Sequence, residues 1–180
     1  MRIISGALRG RRLAAVRGGI RPTGDRLRET LFDVIGNAVA GSVWLDAFAG
    51  SGAIGLEAIS RGASFVIFND TSRDAVRLIE KNLEICGVQE QYRIEQKDVF
   101  SLLRSLKPPA PDFIYFDPPY EFGRYDKLLR KAVEFGAVGP RAVVILETFK
   151  KAAVEPPEAL ESVREVRSGD SCLRFYRRRP

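Results

Sequence analysis

Hydrophobic positions along this chain fall into two spacings, and their alternation predicts the fold. Leu27, Leu31, Val34, Ile35 and Ala38 recur at helical spacing, so an amphipathic helix is expected over roughly 24–38, announced by Pro22 and Thr23. From Val43 onward, short apolar runs at 43–47, 65–69, 92–95, 113–116 and 142–147 read as strands. Helical patterns fill about 53–61, 72–86, 98–106 and 124–135 between them. The tail, 162–178, reads as two strands around Ser168-Gly169-Asp170, a hairpin turn signal. Repeated strand–helix units imply an α/β domain with a mostly parallel sheet covered on both faces. The closing hairpin brings the strands to seven and makes the last one antiparallel.

Charge changes that picture at the ends. The net charge is +6, but residues 1–28 hold eight arginines (Arg2, Arg9, Arg11, Arg12, Arg17, Arg21, Arg26, Arg28) against the single acid Asp25. Residues 174–180 add four arginines and no acid, while the body, 29–173, is net −5. Arginine at that density suits phosphate contacts, so a nucleic-acid partner is expected. Residues 1–22 then read as a basic N-terminal arm with short extended pieces at Arg2–Ser5 and Arg12–Val16, and 23–180 as the core of a single domain. No apolar run is long enough to span a membrane, and Met1–Ser5 lacks the apolar stretch of a signal peptide, so a cytoplasmic protein is expected. Nothing suggests an obligate dimer, and a monomer is the expectation. The two cysteines, Cys86 and Cys172, read as ordinary thiols. There is no histidine, which excludes His-based dyads and metal sites, and no metal is expected.

The first strand empties into Leu45-Asp46-Ala47-Phe48-Ala49-Gly50-Ser51-Gly52-Ala53-Ile54-Gly55. Gly50, Gly52 and Gly55 satisfy GxGxxG, which permits a tight turn and a close approach of backbone to ligand. NAD, FAD and S-adenosylmethionine sites share the pattern. Three acids sharpen it. Asp46 ends the first strand, where a carboxylate could meet a methionine ammonium group. Asp70 ends the second, where an acid takes ribose hydroxyls. Asp98 follows the third and reads equally as an adenine-amino acceptor or a helix N-cap.

The fourth strand ends Phe116-Asp117-Pro118-Pro119-Tyr120, a more specific signal. An exocyclic amino group on a base is a poor nucleophile, because its lone pair is delocalised into the ring. Activation needs acceptors aimed at its N–H bonds. The Asp117 carboxylate and the Pro118 carbonyl supply two, the prolines hold the backbone rigid, and Tyr120 offers a stacking ring. A base within a duplex would first have to be flipped. The catalytic candidates are therefore Asp117, Pro118, Pro119 and Tyr120.

Three stretches then resemble one known family, the RsmD-type guanine-N2 methyltransferases of bacterial small-subunit ribosomal RNA. They are Arg2-Ile3-Ile4-Ser5-Gly6 with Arg9-Gly10-Arg11 and Leu13, the segment Arg21-Pro22-Thr23-Gly24-Asp25-Arg26-Leu27-Arg28-Glu29-Thr30-Leu31-Phe32, and Leu45–Gly52 continuing to Gly55–Ala58, Ser60–Ala63 and Asp117–Tyr120. The resemblance implies a Rossmann-like class I S-adenosylmethionine-dependent methyltransferase fold. It implies a cofactor, S-adenosyl-L-methionine, held by Asp46, Phe48, Ala49, Gly50, Ser51, Gly52, Gly55 and Asp70, to which the residue pattern adds Asp98 as a candidate. It implies a guanine docked at 117–120, and 16S ribosomal RNA gripped through Arg2, Arg9, Arg11, Arg12, Arg21, Thr23, Arg26 and Arg28. Members act on a partly assembled small subunit, so ribosomal proteins belong among the expected partners. One departure stands out: the family's second strand usually ends in an acid with another acid two residues on, whereas Asp70 is followed by Thr71 and Ser72.

Competing readings are an amino methyltransferase with another target (adenine N6 in DNA, or guanine in transfer or large-subunit RNA), a catalytically silent RNA-binding assembly factor, and an NAD-linked oxidoreductase. Intact Asp117–Tyr120 argues against the second. The third lacks a hydride-transfer acid or base and leaves both arginine-rich ends unexplained.

Overall fold

The computed structural model describes residues 1–15 and 24–180, apart from the side chain of Tyr120. Five helices and seven strands follow the predicted order. They are α1 (Asp25–Ile35), β1 (Val43–Asp46), α2 (Ala53–Ser60), β2 (Phe65–Asn69), α3 (Arg73–Cys86), β3 (Tyr92–Glu95), α4 (Val99–Ser105), β4 (Phe113–Phe116), α5 (Tyr125–Glu134), β5 (Val143–Phe149), β6 (Leu160–Ser168) and β7 (Ser171–Arg178). The α1 pattern ends early because Gly36 turns the chain into a 3-10 turn, Gly36–Val39. A second 3-10 turn, Tyr120–Phe122, follows β4.

The strands form one sheet in the order β3-β2-β1-β4-β5-β7-β6. β7 runs antiparallel to both neighbours, and the pairings among β1–β5 are parallel. Alternation along the central strands sends side chains to two cores. Trp44, Val66, Phe68, Phe113, Tyr115 and Ile145 face α1, α2 and α3. Leu45, Ile67, Ile114, Phe116, Val144 and Leu146 face α4 and α5. Both faces are covered, which is why these strands read as continuous apolar runs rather than alternating ones. The strand order reverses direction between β1 and β4, so a crevice opens at their C-terminal ends, where ligands of such sheets bind.

Residues 1–15, within the expected basic arm, are held against the core. They fold back on themselves through an antiparallel bridge between Arg2 and Arg12 and pack on the core with Ile3 and Leu13 buried. Glu57, fully buried within α2, accepts the backbone N–H groups of Ile4 and Ser5 at 2.8 and 3.0 Å and the Arg61 guanidinium at 2.8 Å. Higher up, Asn82 of α3 accepts from the Ala14 N–H at 2.7 Å and donates to the carbonyls of Ala14 and Ser51. The expected boundary between arm and core, at 22–23, lies outside the described residues.

Candidate active site

The glycine loop is shaped from behind by two carboxylates. Asp46, 1% exposed, accepts the Gly55 N–H at 3.1 Å. Asp70 accepts the Gly50 N–H at 2.9 Å through one oxygen and the Ser72 N–H at 2.9 Å through the other. Ser72 in turn caps α3, accepting from Ala75 N–H, which is the local job of the position where the family pattern has its second acid. Asn69 joins three strand ends, donating to the carbonyls of Ala47 and Lys97 and accepting from Lys97 N–H. Sequence reading missed Asn69. A lone amide at the end of an apolar strand, next to the expected acid, was the available signal.

The loop residues divide into two kinds. Gly50 has φ +53, a conformation that favours glycine, and open space where a Cβ would stand, so the backbone there is uncovered on that side. Gly55 faces the sheet instead. A Cβ on it would lie 2.2 Å from Cε1 of Phe68, so this glycine allows α2 to pack closely and supports the site through Asp46 rather than by touching a ligand. Phe48 turns away from the loop, edge-on to Phe116 and Phe122. Ala49 donates its N–H to the Asn69 carbonyl and accepts from Gly52 N–H, which closes the turn. The Ser51 carbonyl is held by Asn82.

Electrostatics fit a cationic ligand. Burial lifts the Asp46 carboxyl from 3.8 to about 7, opposed by the Gly55 hydrogen bond and reinforced by the charge of Asp70. A buried carboxyl held near neutrality is set to ionise when a positive group arrives above it. At 1% exposure Asp46 acts on such a group through its field rather than by contact. Asp98 is exposed and caps α4, accepting from the N–H groups of Phe100 and Ser101 at 3.0 and 3.3 Å. The helix-cap reading of Asp98 is therefore a structural fact, and an adenine contact would be additional to it.

β4 carries Asp117-Pro118-Pro119 to the same edge. Asp46 pairs with Tyr115 in the β1–β4 ladder, and Ala47 N–H donates to the Tyr115 carbonyl at 3.0 Å, so the glycine loop and Asp117 leave adjacent strands. The structure thus brings Asp46, Asp70, Asp98 and Asp117 to one rim of the sheet. Among the described residues, no group of three or more His, Cys, Asp or Glu side chains could hold a metal ion.

The arginines are more dispersed. Arg28 is a correction. It is fully buried, with Asp25 at 3.1 Å and Glu57 at 3.7 Å, and it donates to the Arg2 carbonyl. It cannot meet RNA from there; it ties α1 to the N-terminal segment. Arg11 is exposed but donates to the Ile85 carbonyl at 3.0 Å, at the C-terminal end of α3. That end lies at the opposite rim from the acids, because α3 starts at the rim and runs down 14 residues, about 20 Å. Arg9 sits in the same low turn, next to Gly10 and Arg11. Arg26 is exposed in the first turn of α1, the end of the helix away from Phe32, which packs on Trp44 and Arg61 toward the lower rim. Arg2 and Arg12 are exposed between these levels. Arg21 and Thr23 lie outside the described residues, as does the side chain of Tyr120.

Known proteins place the chain. Residues 1–177 match the family described as "Conserved hypothetical protein 95". The Haemophilus influenzae protein named "Ribosomal RNA small subunit methyltransferase D" is 34% identical over 179 residues, covering 98% of this chain and 93% of that protein. The Escherichia coli K12 protein of the same name is 32% identical over 180 residues, covering 99% and 90%. Among solved structures, an Escherichia coli protein named as a methyltransferase superposes with a TM-score of 0.88 at 29% identity, over 99% of this chain and 97% of that one. TrmN from Thermus thermophilus superposes at 0.71 and 25% identity, over 90% of this chain and 50% of that one. Its fold is that of the S-adenosylmethionine-dependent methyltransferases, and the chain belongs to the conserved hypothetical protein 95 family, that of the ribosomal RNA small subunit methyltransferases D.

Proposed function

We infer that this protein transfers a methyl group from S-adenosyl-L-methionine to the exocyclic N2 of a guanine in 16S ribosomal RNA, acting in the cytoplasm on the small subunit or its assembly particle. The observation that carries the reading is the adjacency at the β1–β4 switch point. The glycine loop leaves β1, the strand paired with β4, and β4 carries Asp117-Pro118-Pro119. When bound, S-adenosylmethionine supplies a methyl group on a positively charged sulfur. The chain's own residues do the rest. Asp46 and Asp70 fix the loop that receives the cofactor, and their negative charge favours a cation there. Asp117 and the Pro118 carbonyl accept the two N–H bonds of the guanine amino group. Its lone pair would thereby be directed at the methyl group that the donor would supply, and the Asp117 carboxylate would take up the proton that the amino nitrogen sheds. Fixed acceptors of this kind stabilise charge as it develops, which is where rate is gained. The exposed cations Arg26, Arg2 and Arg12 are the RNA contacts favoured by position, and small-subunit proteins are part of the particle presented.

The deciding experiment is mass-spectrometric mapping of 16S RNA from cells with and without the protein, followed by restoration with the pure enzyme. One N2-methylguanine should vanish in the deletion strain and return on incubation with S-adenosylmethionine. An unchanged 16S map, with loss of a methyl group in another RNA, would overturn the reading.

A further inference from the structure

The crevice has a second bank, on the face of the sheet opposite α1, and it carries cations that the N-terminal run does not supply. α4 and α5 cover that face. α5 begins where the chain returns from Asp117-Pro118-Pro119, so its first turn stands at the rim that receives the substrate. The return is short and tied, with Phe122 N–H donating to the Pro119 carbonyl at 2.8 Å. Three rings from three strand ends meet there. Phe48 follows β1, Phe100 lies in the first turn of α4 after β3, and Phe122 follows β4. Phe122 is 5.7 Å from Phe48, edge-on, and 6.4 Å from Phe100, stacked. Phe100 and Phe122 are only half-buried, so part of the pair faces outward.

Exposed cations lie over that pair. The Arg124 guanidinium stands 4.8 Å from the centre of the Phe122 ring and 5.5 Å from that of Phe100, and Lys127 Nζ stands 5.3 Å from that of Phe100. Arg130 continues the row along the exposed side of α5. Lys131 beside it is paired with Glu134, whereas Arg124, Lys127 and Arg130 form no ion pair among the described residues. Two nearby acids are engaged elsewhere: Asp98 caps α4, and Asp126 accepts the Glu155 N–H at 2.8 Å. Glu121, exposed in the preceding turn, pairs with none of the three. A cation held over a ring keeps its full charge and has already given up part of its side-chain freedom. A phosphate can therefore bind it without breaking an ion pair and at a smaller ordering cost.

We propose that Phe100, Phe122, Arg124 and Lys127 form a shelf for the substrate RNA, on which phosphates flanking the target guanine are held from the α5 side of the crevice. The inference rests on ribosomal RNA as the substrate and adds a contact surface to that reading. A base that reaches Asp117 must leave its stack, so the strand on either side of it is locally unpaired and passes over the rim. Arg26 meets that strand from the α1 face and the shelf meets it from the other. Rings interleaved with cations suit single-stranded nucleic acid, whose backbone follows the charge.

The test measures binding of the full-length enzyme to small-subunit particles from a strain that lacks it, over a range of salt concentrations. In the double variant Arg124→Ala, Lys127→Ala, affinity should fall about tenfold at low salt, and the slope of log affinity against log salt should shrink by about 1.4 units, two single-strand phosphate contacts. Arg124→Lys keeps the charge and should keep the wild-type slope. Arg93→Ala, on the edge strand β3 with its guanidinium 3.1 Å from Glu95, is the control for charge at a distance and should also keep it. Calorimetric affinity for S-adenosylhomocysteine should hold in every variant. An unchanged slope in the double variant overturns the proposal. So does an equal loss in Arg93→Ala, which would make the effect one of overall charge. Loss of S-adenosylhomocysteine binding with particle affinity intact overturns it too, and gives the shelf to the cofactor. If the wild type itself does not bind the particle, the underlying substrate reading fails and takes the shelf with it.

Discussion

Acids on the two sides of the crevice are used in opposite ways. On the β1–β2 side, Asp46 and Asp70 commit their oxygens to backbone N–H groups at Gly55, Gly50 and Ser72. They are braces, and the surface they leave for a ligand is backbone. On the β4–β5 side, Glu147 is closed on the Tyr115 phenol, and the acceptors assigned to the amino group are Asp117 and a carbonyl held between two prolines. The first side is a mould and the second is a set of acceptors. Damage to the mould should change how well the cofactor is held. Damage to the acceptors should change how fast an amino group reacts.

The largest expected effect separates the two outright. Asp117→Ala removes one acceptor on a strand other than the one that carries the glycine loop, so single-turnover methyl transfer should fall by at least about 1,000-fold. Calorimetric affinity for S-adenosylhomocysteine should stay within about threefold of the wild type. A parallel collapse of cofactor binding would show that the two sides are one unit.

The next effect is a proton. A cation over the loop favours the charged form of Asp46, so cofactor binding should lower a pKa that stands at about 7 in the unliganded protein. Affinity is then full above about pH 7 and weakens as pH falls through it, by up to tenfold per unit. At pH 6, calorimetry in two buffers of different ionisation enthalpy should show most of one proton released on binding. Folding carries the other sign. The carboxyl is raised from 3.8 to about 7, so the folded apoprotein holds the proton more tightly. This contribution to stability is complete below about pH 3.8 and is lost as pH rises through about 7. Asp46→Asn should abolish both the proton release and the pH dependence.

Much of this was legible in the sequence, because strand ends followed by glycine or proline mark where a parallel sheet empties into its crevice. The acids at 46 and 117 could be found that way, and Asp70 by its place at the end of the second apolar run. Depth was harder to read. Arg28 looked like one more surface charge in an arginine-rich run, yet it stands three residues before Leu31 and four before Phe32, on the apolar face of α1. Glu57 carries no mark of depth in the sequence, yet Ala53–Ser60 is buried at every position. An acid in the middle of an apolar helix needs partners, and it finds them in the Ile4 and Ser5 N–H groups and in Arg61. Those partners lie more than fifty residues away or on a neighbouring turn, and periodicity carries no such information. Glu147 escaped for a related reason: it closes a strand pattern, and only the sheet order puts it beside Asp117.

The smallest effect concerns the arginines, and it sharpens the contrast between the rims of the sheet. Arg26 stands at the start of α1, the end away from the lower rim, while Arg9 and Arg11 lie in the turn at the far end of α2 and α3. The fold around Arg11 gives it a second duty, since its guanidinium closes on the Ile85 carbonyl at the end of α3. RNA that enters the crevice meets Arg26 first and must extend about 20 Å down the flank to reach the other two. Removing one arginine from a phosphate should weaken binding by a few-fold and reduce the salt slope by about one unit. Arg26→Ala should therefore lower particle affinity and flatten the salt dependence, with single-turnover rate at saturation unchanged. The pair Arg9→Ala and Arg11→Ala should leave the slope near the wild type and lower the melting temperature slightly, because the Ile85 carbonyl no longer has its guanidinium donor. A salt slope that falls by two units in the paired variant would mean that RNA wraps the flank as far as the lower rim, and the footprint would have to be drawn over the whole α2–α3 face.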